Sequence, residues 1–201
     1  MNRTEVLLKK FWEMESPHLQ EPLLSVTERK ALDHFKTTHH RDTERRFVVP
    51  LPLNTDATPL GESQTRAIRR FTTLERSLLA KAQFKEFASC IEEYLELGHA
   101  ELVPVTELQK THQQVYYMPM HTVRKEASTT TKLRVVFDAS AKSVSGASLN
   151  DQFLIGPTVH PSLVDVLMRF RRHKIVMTTN FSKMYRAVLL SKEQRDLHRF
   201  V

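Results

Sequence analysis

The chain has 201 residues, of which 40% are hydrophobic and 26% charged, a composition typical of globular proteins that excludes wholesale disorder. No apolar run approaches the roughly 18 residues that a membrane span requires, and the N-terminus has no apolar signal core, so we expect an intracellular, cytoplasmic protein that is neither secreted nor partnered with a membrane. The single cysteine, Cys90, excludes an internal disulfide and a cysteine-rich zinc module.

The net charge of +7 is unevenly distributed along the chain. Residues 120–201 carry 14 basic and 6 acidic residues, which gives a net charge of +8. Residues 1–119 carry 16 basic and 17 acidic residues, which gives a net charge of −1. A localised positive field neutralises phosphates and releases their counterions. The charge pattern therefore favours nucleic acid or a nucleotide as partner, and a solvated basic face without a partner is the alternative.

Residues 1–110 are predicted to be mainly helical. Apolar positions between Val6 and Met14 are compatible with a short helix that ends before Pro17. The segment Ser25-Val-Thr-Glu28 fits a capping box, in which the two side chains bond each other's backbone N–H groups, and it predicts the start of a second helix.

The next two segments of this half differ in character. Prolines in residues 47–54 limit that stretch to an edge strand or an extended connection, because proline donates no hydrogen bond to a neighbouring strand. From Ser63 onwards the apolar residues recur every three or four positions, which predicts a long helical stretch, and Gly98 is a natural stop.

After Gly98 the apolar period changes from about four to two, which predicts strands. Residues 115–125 and 132–140 are β-branched and aromatic runs separated by a polar segment, a pattern typical of a β-hairpin. Farther on, Ser162 can cap a helix, and residues 174–180 are predicted to form a strand whose hairpin partner is the segment 187–190.

Motifs of common enzymes are missing. Ten histidines invite a metal hypothesis, but the adjacent pair His39-His40 has no zinc-binding spacing around it. The segment Asp138-Ala-Ser140 lacks the glycine of an aspartic protease motif. There is also no nucleophile elbow, P-loop or dinucleotide-binding glycine motif.

One pair of residues suggests chemistry directly. A hairpin with Lys125 on its first strand and Arg134 on its second brings two cations to one surface, because antiparallel neighbours lie about 5 Å apart. Arginine holds phosphate through a bidentate fork and lysine acts as a point charge. The pattern therefore predicts a site for a triphosphate.

Several long blocks resemble the reverse transcriptases of BEL/Pao-type long-terminal-repeat retrotransposons. The blocks in the second half are ASTTTKLRVVFDASAKSVSGASLND (127–151), IGPTVHPSL (155–163), VLMRFRRHKIVMTTNFSKMYRAV (166–188) and QRDLHRF (194–200). The resemblance extends upstream through FWEMES, HFKTTHHRD, RFVVPLPL, RRFTTLERSLL and EEYLELGHAELVP, in the region that joins protease to polymerase in that family. It covers essentially the whole chain.

The resemblance implies a role for particular residues. Arg134, four residues before Asp138, matches the fingers position that contacts the phosphates of the incoming deoxynucleotide, and Lys125 matches a fingers lysine with the same duty. Tyr185 matches the steric gate, whose ring occupies the place of a ribose 2′-hydroxyl. Phe181 and Met184 are expected to pack in the palm. Template–primer and deoxynucleotide are the implied partners.

Two departures from the family pattern concern catalysis. Thr178-Thr-Asn180-Phe-Ser-Lys-Met-Tyr185 stands where the family has Thr-Ala-Asp-Ile-Glu-Lys-Met-Tyr, so Asn180 replaces an aspartate that binds the two Mg²⁺ ions. An amide offers no negative charge to these cations. The 201 residues also contain no Tyr-x-Asp-Asp block, and the thumb, RNase H and integrase regions are expected to be absent. We therefore expect no intact catalytic residue and no bound Mg²⁺.

The expected fold is α+β, with a mainly helical linker region at 1–110 followed by a truncated reverse transcriptase at 111–201. This second part would comprise the fingers hairpin and the first palm strand of an incomplete right-hand polymerase. The functional hypothesis is a piece of an RNA-directed DNA polymerase that is inactive as it stands. Two alternatives remain open: an active enzyme seen in part, and a host-recruited, non-catalytic nucleic-acid-binding protein.

Overall fold

The computed structural model describes residues 24–108, 114–128, 132–179 and 181–201, and in these ranges the fold is α+β. The helices are α1 (Val26–Thr38), α2 (Gln64–Ala80), α3 (Phe84–Glu96), α4 (Val105–Leu108) and α5 (Leu163–Arg171). The strands are β1 (His40–Arg41), β2 (Phe47–Val49), β3 (Met120–Arg124), β4 (Leu133–Phe137) and β5 (Leu189–Leu190). Short 3₁₀ turns lie at Asn150–Gln152, Met184–Ala187 and Lys192–His198. The predicted helix between Val6 and Met14 lies outside the described residues.

Helix α1 begins at the predicted capping box. The Glu28 backbone N–H donates to the Ser25 hydroxyl at 3.2 Å, and the Ser25 N–H donates to the Glu28 carboxylate at 2.8 Å. These two bonds lower the pKa of Glu28, because they stabilise its ionised form. Both hydrogen bonds of the predicted capping box are thus confirmed.

The long helical stretch predicted from Ser63 is broken into α2 and α3. Ala82, between them, has a φ of 53°, a left-handed conformation that ends α2 and turns the chain. Gly98 has a φ of 63° and follows α3, as predicted. The break was not foreseen because no glycine or proline marks it in the sequence.

The predicted hairpin is confirmed as β3 and β4. Its strands are antiparallel, with Thr122 opposite Val135 and Val123 opposite Arg134. One face of the hairpin packs on α2 and α3 in the main apolar core. The buried members of that core are Leu78, Phe87, Tyr94, Met120, Leu133 and Val135. Helical residues before position 110 and hairpin residues after it therefore share one core. The division of the chain into a linker region and a polymerase region at position 110 stays a prediction.

A second sheet, of three short strands, corrects the prediction for residues 174–190. β2 pairs antiparallel with β1 and parallel with β5, so that Leu189 lies opposite Val48. The segment 174–179 forms no strand and is exposed. The prediction that 187–190 pairs with 174–180 is wrong, because β5 makes its ladder with β2 instead.

Side-chain bonds reinforce this arrangement. The Gln194 amide accepts from the Leu51 N–H at 2.7 Å and donates to the Leu51 carbonyl at 2.8 Å, which joins the residues after β2 to those after β5. Across the described ranges, no helix is both long and apolar enough to cross a membrane.

The imidazole of His198 makes the stability of the fold sensitive to pH. Its ring lies against Phe153 with centroids 6.0 Å apart, and its Nδ1 is 3.1 Å from the Gln194 carbonyl oxygen. Burial lowers the pKa of His198 below the usual 6.5, because desolvation disfavours the charged imidazolium. The unfolded chain therefore takes up the proton first, so His198 destabilises the fold as the pH falls below about 6.5.

We expect His198→Phe to reduce this sensitivity, since phenylalanine can keep the ring contact but does not titrate. Thermal unfolding of both proteins between pH 7.5 and 5.5 measures the difference. The wild-type Tm should fall more than that of the variant, and parallel curves would contradict the assignment.

Candidate phosphate-binding face

The outer face of the β3–β4 hairpin carries three cations. Side chains alternate along a strand, so Val123 and Arg134 point away from the core, while Leu133 and Val135 on either side of Arg134 point into it. The Lys125 N–H donates to the Lys132 carbonyl at 2.8 Å, which continues the pairing by one step. Lys125, Lys132 and Arg134 thus share the outer face, and all three are exposed. We call these three residues the phosphate face.

No side chain of the phosphate face makes an ion pair or a hydrogen bond with another described residue. Arg124, on the other face, differs: it contacts the Glu86 carboxylate at 2.6 Å and the Glu126 carboxylate at 2.5 Å. These bonds raise the pKa of Arg124. The nearby carboxylates are therefore ion-paired with Arg124. Glu126 also attracts Lys132 electrostatically, so the positive charge of the outer face is only partly compensated.

Like charges that face each other across a strand pair repel. Lys125 and Lys132 stand in this relation, and Arg134 is the next residue of Lys132's strand on the same face. A bound anion would relieve the repulsion, and a phosphate group can accept from both lysines and from the guanidinium fork. The geometry is suited to an anionic, phosphate-bearing ligand.

Sequence reasoning singled out two of the three cations. The structure brings Lys125 and Arg134 to one surface, as the hairpin pattern predicts, although their contact with nucleotide phosphates stays a prediction. Lys132 was missed, yet its signal is simple: it lies two residues before Arg134 and so must share its face.

Asp138, at the end of β4, is engaged in the fold. Its carboxylate accepts from Arg70 of α2 at 2.6 Å and from the Ser140 hydroxyl at 2.6 Å. The bonds from Ser140 and Arg70 lower the pKa of Asp138 and keep it ionised. This residue therefore fixes the end of the hairpin to α2.

Tyr185 lies in the Met184–Ala187 turn and is 84% exposed. The turn is anchored to α3 by the residues on either side: Lys183 pairs with the Glu93 carboxylate, and Arg186 donates to the Tyr94 hydroxyl at 2.6 Å. The ring of Tyr185 is free to meet a ligand.

Two neighbouring predictions fail. Phe181 and Met184 were expected to pack in the palm, but they are 71% and 49% exposed. No strand forms at 174–179, which leaves Phe181 largely exposed and Met184 about half exposed.

The sequence places an amide, Asn180, where the resemblance implies a magnesium-binding carboxylate. Asn180 lies outside the described residues, and its amide supplies no negative charge to a divalent cation. Within 24–108, 114–128, 132–179 and 181–201, no group of three or more histidine, cysteine, aspartate or glutamate side chains is placed to hold a metal ion. The magnesium requirement implied by the resemblance stays a prediction.

The chain matches no family model, no curated protein and no solved structure.

Proposed function

We propose that the chain is part of a BEL/Pao-type reverse transcriptase and that it binds the phosphates of a deoxynucleotide or of a template–primer without polymerising. The observation that carries this proposal is the phosphate face: three exposed cations on one side of a hairpin, none paired with another described residue. The long sequence blocks that resemble the family support the lineage.

Binding in this proposal is electrostatic. Arg134 forms a bidentate contact with one phosphate, while Lys125 and Lys132 act as point charges on its neighbours. The phosphate face consists of lysine and arginine only, so it contains no aromatic ring that could stack on a base. We therefore expect little dependence on base sequence and strong dependence on salt.

Catalysis is excluded from the proposal because of the residue at position 180. Two-metal catalysis of phosphoryl transfer depends on carboxylates that offset the charge of both cations. Asn180 offers an amide instead, and the 201 residues hold no Tyr-x-Asp-Asp block to supply further carboxylates. The proposed chain binds substrate phosphates but does not join them.

Primer extension tests this directly. The purified chain, incubated with primer–template, deoxynucleotides and Mg²⁺, is expected to add no nucleotide, and Asn180→Asp is expected to be equally inactive because the remaining carboxylates are missing. Binding of the same primer–template should nevertheless be measurable at low salt. Clear incorporation by the unmodified chain would overturn the inactive assignment, and absence of any binding would overturn the proposal as a whole.

A host-recruited nucleic-acid-binding protein is the second candidate, and the unpaired charge of the phosphate face favours it equally. The two candidates differ in their small ligands. A polymerase part should bind a free deoxynucleotide through Arg134 and Lys125, whereas a recruited binder needs only the polynucleotide. Competition between dATP and primer–template distinguishes them: displacement supports the polymerase part, and its absence supports the recruited binder.

A further inference from the structure

Three aromatic rings and one guanidinium group form a continuous row on the surface at the end of α1. The rings of Phe35 and His39 are stacked, with centroids 4.5 Å apart and planes inclined by 8°. His39 contacts the ring of Phe47 on β2, with 6.4 Å between centroids, and the guanidinium carbon of Arg41 on β1 lies 3.9 Å from the centre of the Phe47 ring. We call these four residues the stacking row.

Local structure holds the members of the row beside one another. Phe35 and His39 are four residues apart, so they lie on one side of the end of α1. Arg41 stands directly opposite Phe47 in the β1–β2 pair, where cross-strand side chains are close. Nδ1 of His39 lies 2.5 Å from the Phe35 carbonyl oxygen, and Arg41 donates to the Arg45 carbonyl at 2.7 Å. The row is therefore in place before any ligand arrives.

Both ends of the row are open to solvent. Phe35 is 42% exposed and Phe47 is 40% exposed, and Arg41 is exposed as well. The strand that carries Arg41 is an edge strand of its sheet. Single exposed apolar side chains are ordinary on protein surfaces, whereas a contiguous exposed patch indicates an interaction site. A flat ring added at either end would extend the stack.

The surroundings of the row are positively charged. Residues 34–47 include four basic side chains, those of Lys36, Arg41, Arg45 and Arg46, and two acidic ones, those of Asp42 and Glu44. The Asp42 carboxylate accepts from the backbone N–H groups of Glu44 and Arg46 at 2.9 and 2.8 Å, so it closes the turn between β1 and β2. None of the four basic side chains makes an ion pair with another described residue. Packing within the chain accounts for the contacts between the rings but needs neither the open ends nor these cations.

We propose that the stacking row binds single-stranded nucleic acid: one base stacks on Phe35, another stacks on the guanidinium group of Arg41, and the neighbouring phosphates meet Lys36 and Arg45. This site goes beyond the proposed function, because the phosphate face holds phosphates and contains no ring. It also gives a role to His39, which belongs to a histidine pair without zinc-binding spacing.

The chemistry of the row selects the class of ligand. Every base has an aromatic face, so stacking on a ring or a guanidinium plane tolerates any sequence. In a duplex these faces are already covered by the neighbouring base pairs, whereas in a single strand they are free. The cations favour a polyanion over a neutral ligand with flat rings. We therefore expect the row to discriminate between strands by the presence of accessible bases.

The test compares two labelled probes of about ten nucleotides, a length within the range of known single-strand sites. One is oligothymidylate, and the other is an abasic oligodeoxynucleotide with the same number of phosphates. Since the two probes carry equal charge, the phosphate face should bind them alike. Fluorescence anisotropy with the full chain should show that oligothymidylate binds about 25-fold more tightly, because each of two stacked bases contributes roughly fivefold, the low end for such contacts.

Two substitutions each remove one flat surface. Phe35→Leu keeps the apolar bulk, and Arg41→Lys keeps the positive charge. Each should lower the preference for oligothymidylate to about fivefold, and the double variant Phe35→Leu/Arg41→Lys should abolish it. The affinity for the abasic probe should not change in any of the three, which also shows that the variants are folded.

Matched controls make the same substitutions outside the row. Phe170→Leu removes a ring on α5 that is 39% exposed, and Arg29→Lys replaces an exposed arginine near the start of α1. Neither residue belongs to the stacking row, so both variants should keep the full preference.

Photo-crosslinking locates the bases without any variant. The unmodified chain is irradiated together with an oligomer that contains 5-iodouracil, and the crosslinked peptides are identified by mass spectrometry. Crosslinks are expected at Phe35 and at its neighbours in the row. Crosslinks confined to the β3–β4 hairpin would overturn the inference.

The titrations can overturn it as well. Equal affinity of the unmodified chain for the two probes would do so, and so would a preference that survives in the double variant. Neither result affects the phosphate face, which binds both probes. Replacing Lys125 and Arg134 with alanine should weaken both probes alike and keep their ratio, so failure of the proposed function gives a different pattern. Absence of binding to either probe would contradict both assignments.

Discussion

Replacing both Lys125 and Arg134 with alanine is expected to weaken the binding of a primer–template about tenfold at low salt, because two charge-assisted phosphate contacts are lost at an exposed site. The remaining binding should also depend less on salt. Each phosphate contact contributes about 0.7 to 0.9 to the slope of log affinity against log salt, so the slope should fall by about 1.4 to 1.8.

Fluorescence anisotropy with a labelled primer–template, at several salt concentrations, measures both quantities. Arg69→Ala/Lys81→Ala is the charge-matched control, because both residues are exposed and neither lies on the hairpin. The control should leave affinity and slope close to their wild-type values. Equal losses in the two double variants would mean that binding follows net charge alone, and the phosphate face would lose its assignment.

Lys132→Ala extends the experiment to the cation that the sequence analysis missed. Because Lys132 stands opposite Lys125, its removal both deletes a phosphate contact and relieves a repulsion in the free chain. We expect weaker binding together with unchanged or slightly increased thermal stability. Reduced stability would show that the attraction between Lys132 and Glu126 outweighs the repulsion from Lys125, and this would contradict a net repulsion among the cations of the phosphate face.

Local signals explain which parts of the fold were predictable. The capping box at Ser25 and Glu28 and the stop at Gly98 depend on a few adjacent residues, and all were read correctly. The hairpin was also predictable, since its alternation of apolar and polar residues has a period that helices do not share. Once the paired strands are known, the same alternation also predicts that Lys125 and Arg134 lie on the same face of the hairpin.

Non-local pairing explains what was missed. Residues 174–180 have the composition of a strand, but a strand exists only where a neighbour completes its hydrogen bonds. The candidate neighbour, β5, pairs with β2 about 140 residues earlier in the chain, and no pattern within either segment encodes that choice. The anchoring of the Tyr185 turn by Glu93 and Tyr94 was invisible for the same reason.

The two faces of the hairpin combine stability and binding in one element. Inward apolar residues belong to the core with α2 and α3, while the outward residues include Val123 and the three cations of the phosphate face. A shift of the strand register by one residue would exchange the faces, because the side-chain period is two. The core contacts of the inner face therefore also determine that Arg134 and Lys125 meet solvent.

Leu133→Ala tests the inner face and is expected to have the largest effect on stability. Leu133 is 1% exposed and lies in the main core between α3 and the hairpin. Truncating a buried leucine removes transferred apolar surface and leaves a cavity, which costs about 2 to 5 kcal/mol. Since domains of this size are stable by only about 5 to 15 kcal/mol, the Tm should fall by about 5 to 15 °C.

Val123→Ala is the control on the outer face, because Val123 is 46% exposed and lies opposite Arg134. Its free energy of unfolding should stay within about 0.5 kcal/mol of wild type. Urea unfolding gives both values, and unchanged m-values would show that the unfolded states are comparable. A large loss for Val123→Ala with a small loss for Leu133→Ala would mean that the faces are reversed. Arg134 and Lys125 would then point into the core, and the phosphate face could not exist.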